Sequence, residues 1–564
     1  MPARLRVLLP AAAAAAVLAV ASADTFSARA WRGSGGFPEA NDAGLAAKSS
    51  VALTFSGGGA RAYVCTLGYL AGLQDVGLLD SARYIGGISG GSWGTSVFSF
   101  QQRTSDVDTF LGPVMQPADM SLESLEEVDE DCGRGWITED LATIALQAYK
   151  NGTVDTLAQM WQYGVQAVYM DRAGVAGDKY FTWSEDTLND ILNRNPGLSA
   201  DDFVLPAPYV GALPLLGTTL YGPAANSPYL ATPHNFTLVE MTPYAVGMWA
   251  SNDVEYTSES AGASTTHVGG FVEPFAAGGS TPPASGLASG EADGLVDVPV
   301  PEVPLSVGLT AGASSFFIGA FVEDFPEPAS DDLGMHETLW SPDLAAPVAE
   351  DMLWSDGGCL ANLNILSFMQ RGVEEILAFA DFGTPLQPTG SWDPYTDDFT
   401  GSEMDASIPG FFGVIPTNRS IISQGSFDLT QNQVFPTEEF APLVRRMQDA
   451  QAAGRGIVVR SELETVANDW WGIAAGQRVN VTWVYLSRDF GWEAQLSSEM
   501  YDLVVPADGA DDPSVTVQGG PFHGFPHYLT SAAHMSVERA NILADLCGWV
   551  VQQNIDLFRQ AMQQ

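Results

Sequence analysis

An α/β fold on a parallel sheet is predicted by two features of the segment 51–103. Short β-branched and aromatic runs alternate with stretches of helical apolar spacing, and each run passes to the next helix through a tight glycine-rich turn. Strand, tight loop, helix, strand, tight turn, helix is the rhythm of parallel strands joined by crossover helices.

The elements follow in order. VALTF, Val51–Phe55, reads as a buried strand, and GGGAR turns the chain into AYVCTLGYLAGLQDVG, a helix that ends at Gly77. ARYIGGIS is the next strand and GGSWGTSVFSFQQR the next helix. From about 106 to 195, helical apolar spacing dominates, as in ITEDLATIALQAYKNGTVDTLAQMWQYGVQAVYM, which predicts a helical insert or cap over the sheet. From about 267 to 307 the composition shifts to Gly, Ser, Pro and Ala, which predicts an irregular, lid-like loop. VPLSVGLTAGASSFFIGAF resumes a core pattern; MLWSDGGCLANLNILSFMQRGVEEILAFADFG gives a turn, a helix and a buried strand; the tail from Phe522 ends in a long helix. No internal repeat is present.

Charge excludes one class of partner. With 23 Lys and Arg against 68 Asp and Glu, the formal charge of −45 makes nucleic acid an unfavourable partner. The same field disfavours anionic lipid head groups and suits an acidic or salty environment.

At the N-terminus, Arg4 and Arg6 precede an apolar run from Val7 and a small-residue site, Ala21-Ser22-Ala23. That is the pattern of a secretory signal peptide over 1–23, so the expected location is outside the cell or in the secretory lumen, the vacuole included. A lead over 24–48 follows, and no later apolar run is long enough to span a bilayer. In an oxidising compartment Cys65, Cys132, Cys359 and Cys547 could form up to two disulfides, with the pairing open. Sequons begin at Asn151, Asn235, Asn418 and Asn480. No spacing of His or Cys suggests a metal, and His336, despite acidic neighbours, reads as part of a solvated loop; no cofactor is expected.

Gly87-Ile88-Ser89-Gly90-Gly91 matches G-x-S-x-G between a strand and a helix. A serine at such a turn exposes its hydroxyl, and the helix N-terminus behind it favours developing negative charge. Ser56-Gly57-Gly58-Gly59-Ala60-Arg61 can turn backbone N–H groups toward one point, as an oxyanion requires. It lacks the Gly-Lys-Ser/Thr ending of a nucleotide phosphate loop. Asp356, in WSDGGCLANL, offers a carboxylate in a glycine-flanked turn, and burial or close geometry must raise its basicity.

Together SGGGARA, GISGGSW and SDGGCLANLNI, in that order, resemble the catalytic domain of the cytosolic phospholipase A2 and fungal phospholipase B (lysophospholipase) family, related to patatins. EMTPYAVG, GASSFF, QRGVEEILAFADF, FPHY and NIDLFRQAM add to the likeness, which covers nearly the whole chain from Val51. The resemblance implies a three-layer fold, with a central, mostly parallel sheet and a helical cap or lid insert, over a single catalytic domain, 49–564. It implies Ser89 as nucleophile, Asp356 as the base of a Ser–Asp dyad, Gly58 and Gly59 as oxyanion donors and Arg61 as the contact to the lipid phosphate. The implied substrate is a glycerophospholipid or lysophospholipid at a membrane or micelle surface. The short lead leaves no room for a calcium-binding C2 domain, and the cysteines are fewer than in the secreted phospholipase B branch.

Two alternatives stand beside this reading: a Ser-His-Asp esterase using His527 or His534, and an inactive secreted lipid-binding glycoprotein. IPGFFGVIP, with Phe411 and Phe412, and NDWWGI, with Trp470 and Trp471, are candidate membrane-contact loops.

Overall fold

The computed structural model describes residues 25–226, 236–258, 262–317, 334–418, 429–531 and 534–562. The expected signal peptide and the Asn235 sequon lie outside these residues.

Thirteen strands form one mixed sheet. In chain order they are β1 (Thr25–Trp31), β2 (Val51–Phe55), β3 (Tyr84–Ile88), β4 (Leu213–Pro223), β5 (Thr237–Met241), β6 (Val246–Ser258), β7 (Gly262–Val272), β8 (Asp293–Pro299), β9 (Met335–Leu339), β10 (Glu350–Asp356), β11 (Glu375–Ala380), β12 (Ile457–Glu464) and β13 (Arg478–Tyr485). Strands β4, β3, β2, β11 and β13 are neighbours in that order and run parallel. Antiparallel strands extend this centre on both sides, through β5, β6, β7, β1 and β8 on one and β12 on the other.

Because side chains alternate along a strand, the central strands feed two cores. Val51, Leu53 and Phe55 of β2 and Leu377 and Phe379 of β11 join one cluster, with the helices α1 (Ala60–Asp75) and α7 (Val537–Gln553). Ala52 and Ile376, Ala378 and Ala380 join the other, with Phe368 and with Leu443 from the helix Phe440–Ala452. Helix, sheet, helix is therefore the layering. α1 and α7 touch backbone to backbone: a Cβ on Gly68 would lie 2.4 Å from the Ala544 carbonyl oxygen.

The remaining helices used below are α2 (Gly90–Phe100), α3 (Leu141–Lys150), α4 (Leu157–Val165), α5 (Val307–Ser314) and α6 (Ile365–Gln370). α3 and α4 lie in the stretch expected to be a helical insert.

Two expectations change. The segment 267–307 is not irregular throughout: its start completes β7, and Asp293–Pro299 forms β8, paired over its whole length with β1. The stretch 24–48 is likewise no separate lead, since β1 is a sheet strand and Glu39 is buried in an ion pair with Arg371, at 2.7 Å. Arg371 also pairs with buried Glu240 at 2.7 Å, which ties this N-terminal stretch, α6 and β5 together.

All four cysteines are buried and none is in a disulfide, with Cys65 beside Cys547 and Cys359 3.3 Å from the Ser355 hydroxyl. Among the sequons, Asn151 is exposed in the turn after α3, whereas the Asn480 amide donates to Glu375 from within a sheet strand, at 2.5 Å. No helix among the described residues is long and apolar enough to cross a membrane.

Candidate active site

Ser89 and Asp356 are brought together by strand β4. Its first half pairs with β3 in parallel, up to Ile88 opposite Gly217. Its second half pairs with β10 antiparallel, ending at Asp356 opposite Thr218. The strands β3 and β10 therefore meet end to end along one edge of β4, and the residue after β3 faces the last residue of β10.

Ser89 is held at φ 52° and ψ −122°, in the positive-φ region that costs a non-glycine residue about 1–3 kcal/mol. Ser34 is the other non-glycine residue with positive φ among those described. This turn places Ser89 at the N-cap of α2, and its N–H donates to the Ser314 carbonyl (3.2 Å) and hydroxyl (3.1 Å). The Ser314 hydroxyl donates in turn to the Gly217 carbonyl at 2.6 Å, so the end of α5 fixes Ser89 to β4.

The Asp356 carboxyl accepts a hydrogen bond from the Gly358 N–H at 2.7 Å and lies near enough to the Ser89 side chain to be stabilised by it. Its own carbonyl accepts from Thr219 at 2.9 Å, and its N–H donates to Phe316 at 3.1 Å. Burial pushes this carboxyl up to about 6, with the Ser89 side chain and the Gly358 N–H opposing. A carboxylate so placed is a far better proton acceptor than a solvated one.

The glycine loop runs beside the serine. A Cβ on Gly57 would lie 2.8 Å from Ser89 Cβ, and the Gly57 N–H is taken by Asn362 Oδ1 at 2.7 Å. Gly58 and Gly59 follow with φ +150° and +60° and open α1. Among the described residues neither of their N–H groups has a hydrogen-bond partner. The two expected oxyanion donors are thus next to the serine and unengaged.

Gly90, which the sequence reading passed over, belongs with them. Its N–H opens α2 immediately after the nucleophile, and a Cβ there would lie 2.1 Å from the Gly59 carbonyl oxygen. The signal was present in G-x-S-x-G, where the N–H after the serine commonly completes the oxyanion hole. The N-termini of α1 and α2 converge here, adding their positive ends to the site.

Arg61, the expected phosphate contact, is engaged by carbonyls and a hydroxyl within the fold. It is 1% exposed, and its guanidinium donates to the carbonyls of Asp381 (2.8 Å) and Tyr528 and to the Thr530 hydroxyl (3.1 Å). An ideal Cβ on Gly58 would sit 2.7 Å from Arg61 Nη2, so the guanidinium backs the glycine loop from inside. Its planar fork of donors suits such carbonyl clamping as well as it suits phosphate.

The histidines stand elsewhere. His527 is buried with Nδ1 on the Phe382 carbonyl at 2.9 Å, and burial pushes it down to about 4. His534 is exposed, 4.0 Å from Asp140. Neither takes part in the hydrogen bonds of Ser89 or Asp356 given above. His336 pairs with Asp351 at 2.9 Å, and no cluster of metal-ligating side chains occurs among the described residues. Phe411, Phe412 and Trp471 are core residues, and Trp470 is half-buried, so of these four aromatics Trp470 alone is partly open to solvent.

The comparisons with known proteins bear on this geometry. Residues 51–128 match the family model described as the lysophospholipase catalytic domain. Cytosolic phospholipase A2 zeta of Mus musculus is 56% identical over 43 residues, 8% of this chain and 5% of the relative. The Homo sapiens zeta protein is 42% identical over 79 residues, 14% of this chain and 9% of the relative, and mouse cytosolic phospholipase A2 gamma is 46% identical over 46 residues, 8% of each. The matched stretches thus span less than a tenth of these relatives. The structure of human GIVD cytosolic phospholipase A2 aligns over 91% of this chain and 60% of that one, with 15% identity and a TM-score of 0.46. The matched segment holds Ser89, Gly58, Gly59, Gly90 and Arg61; Asp356 lies beyond it and is placed by strand pairing alone.

Proposed function

We infer that the chain is a serine acyl hydrolase that cleaves fatty acyl esters of glycerophospholipids or lysophospholipids through a Ser–Asp dyad. The observation that carries this reading is the juxtaposition of Ser89, strained at the start of α2, with a buried Asp356 across adjacent positions of β4. The lysophospholipase-family match of the segment around Ser89 supports the substrate class.

In this mechanism Ser89 Oγ attacks the ester carbonyl as its proton passes to Asp356. The Gly58, Gly59 and Gly90 N–H groups receive the oxyanion. Collapse expels the lysolipid or glycerophosphodiester, whose oxygen takes the proton back from Asp356. Water, deprotonated by Asp356, then releases the fatty acid from the acyl-serine. No histidine is needed, because burial already gives the carboxylate its basicity.

The N-terminal pattern of 1–23 supports secretion, or residence in the secretory lumen or vacuole, which mass spectrometry of the mature N-terminus would test. The test of activity is fatty acid release from lysophosphatidylcholine and diacyl phosphatidylcholine, beside Ser89→Ala and Asp356→Asn. Each variant is expected to lose at least about 1,000-fold in rate while remaining folded. Release that survives Asp356→Asn would reject the dyad, and no release by the unmodified folded protein would reject the lipase reading.

A further inference from the structure

The turn that carries Asp356 continues into two asparagines that tie it down. Gly357, Gly358 and Cys359 make one tight helical turn, and the Leu360 and Ala361 N–H groups both donate to the Gly357 carbonyl. The Asn364 N–H then donates to the Thr54 hydroxyl of β2 at 2.8 Å, and that hydroxyl donates to Asn364 Oδ1 at 3.2 Å. Asn362 Oδ1 accepts the Gly57 N–H at 2.7 Å, at the start of the glycine loop.

Two neighbouring glycines locate the Asn362 amide. A Cβ on Gly358 would lie 3.0 Å from Asn362 Oδ1 and 3.1 Å from Asp356 Oδ1. The two oxygens therefore stand within about 6 Å of each other, the range over which a charge moves a neighbouring pKa. A Cβ on Gly57 would lie 2.6 Å from Asn362 Oδ1 and 3.4 Å from Ser89 Oγ, so the serine hydroxyl is within the same range. One amide thus stands beside both members of the dyad and joins the two loops that hold them. Its type fits the place. A side-chain amide offers a backbone N–H an acceptor without bringing a charge. Among the described residues no charged side chain contributes to the shift of Asp356, which burial, Ser89 and the Gly358 N–H account for.

We propose that Asn362 is a positioning residue of the hydrolysis: its Oδ1, by holding the Gly57 N–H, fixes the oxyanion loop against the turn that carries the base. The proposal rests on the acyl hydrolase reading above. Gly58 and Gly59, whose N–H groups are unengaged among the described residues, directly follow the residue so held. Without that bond the loop keeps Arg61 behind it but loses its tie to the base turn, and a misplacement of about 1 Å costs about 100-fold in rate.

Asn362→Ala and Asn362→Asp test this, with two readouts from about pH 4 to 9: fatty acid release from lysophosphatidylcholine, and the rate at which an alkyl fluorophosphonate labels Ser89. Asn362→Ala lacks the acceptor, so both rates should fall about 10- to 100-fold, with KM and the acid limb near 6 unmoved. Asn362→Asp keeps the acceptor and adds a charge beside Asp356, so its limb should move up by about one pH unit or more. Above that limb it should recover most of the rate, because the reaction carries one negative charge from Asp356 to the oxyanion and the added carboxylate repels both. A role confined to holding the fold would lower the melting temperature of both variants and leave the limb of Asn362→Asp in place, and that result would overturn the proposal. Labelling of Asn362→Ala within about twofold of the unmodified rate would overturn it too. If Asn362→Ala does not fold, the limb of Asn362→Asp decides the matter by itself. Labelling that follows the expected pattern without fatty acid release from lysolipid or diacyl lipid would reject the lipase reading and still support the place of Asn362.

Discussion

Protonating Asp356 should switch the enzyme off, and the structure sets where. Only the carboxylate can take the Ser89 proton, and burial moves this carboxyl from 3.8 to about 6. At pH 5 about a tenth of the molecules would then hold the ionised form, where an unshifted carboxyl would be almost fully ionised. The rate should therefore fall about tenfold for each pH unit below about 6, with no basic limb from an imidazolium. The assay is kcat/KM against pH for a lysolipid kept below its micelle concentration, repeated on His527→Gln and His534→Gln. Both histidine variants should keep the limb where it is. A rate held level down to pH 4, or a limb that vanishes with either histidine, would refute the reasoning.

Three further outcomes follow from the same geometry. Gly90→Ala forces a methyl to within 2.1 Å of the Gly59 carbonyl oxygen, so kcat should fall by about 100-fold or more as the oxyanion donors part, in a protein whose circular dichroism is unchanged. Arg61→Ala removes a buried clamp on three partners and should destabilise the fold by about 3–5 kcal/mol in urea titration; a variant of native stability with a raised KM would instead restore the phosphate contact. Asp381, fully buried beside Arg61 and Cys65, is pushed up to about 8 by burial. The folded chain thus holds a proton that the unfolded chain releases, so this stabilisation is present below about pH 4 and is lost as pH rises toward 8, by up to about 1.4 kcal/mol per unit. Asp381→Asn should flatten that slope in thermal unfolding measured from pH 4 to 8, and an unchanged slope would count against it.

Much of the central architecture was legible because it is local. VALTF, ARYIGGIS and EEILAFADF are short apolar runs bounded by turns, and each contains a central strand, β2, β3 and β11. The nucleophile turn was legible for the same reason, since strand, serine and helix are contiguous. What escaped was the pairing of distant segments. β8 lies in a Gly- and Pro-rich stretch whose own composition argues against a strand, and it is held by β1 from the far N-terminus. The carbonyl partners of Arg61 were not legible because a guanidinium recognises carbonyls and phosphates with the same donors, and Asp381 and Tyr528 are distant in sequence. The aromatics of IPGFFGVIP looked exposed between Gly and Pro, yet Phe412 packs on Trp483 at 6.2 Å between ring centroids.

The meeting of β3 and β10 along β4 has a consequence for how this chain can change. The gap between nucleophile and base is spanned by one peptide unit, Gly217 to Thr218, which acts as a ruler that neither partner can stretch. Apart from β4 itself and Ser314 at the end of α5, the described chain between Ser89 and Asp356, including the helical insert, lies outside that ruler. Length can be added to or cut from those loops without moving the reacting atoms, whereas one extra residue in the middle of β4 would shift one partner by about 3.3 Å and turn its side chain to the opposite face of the sheet.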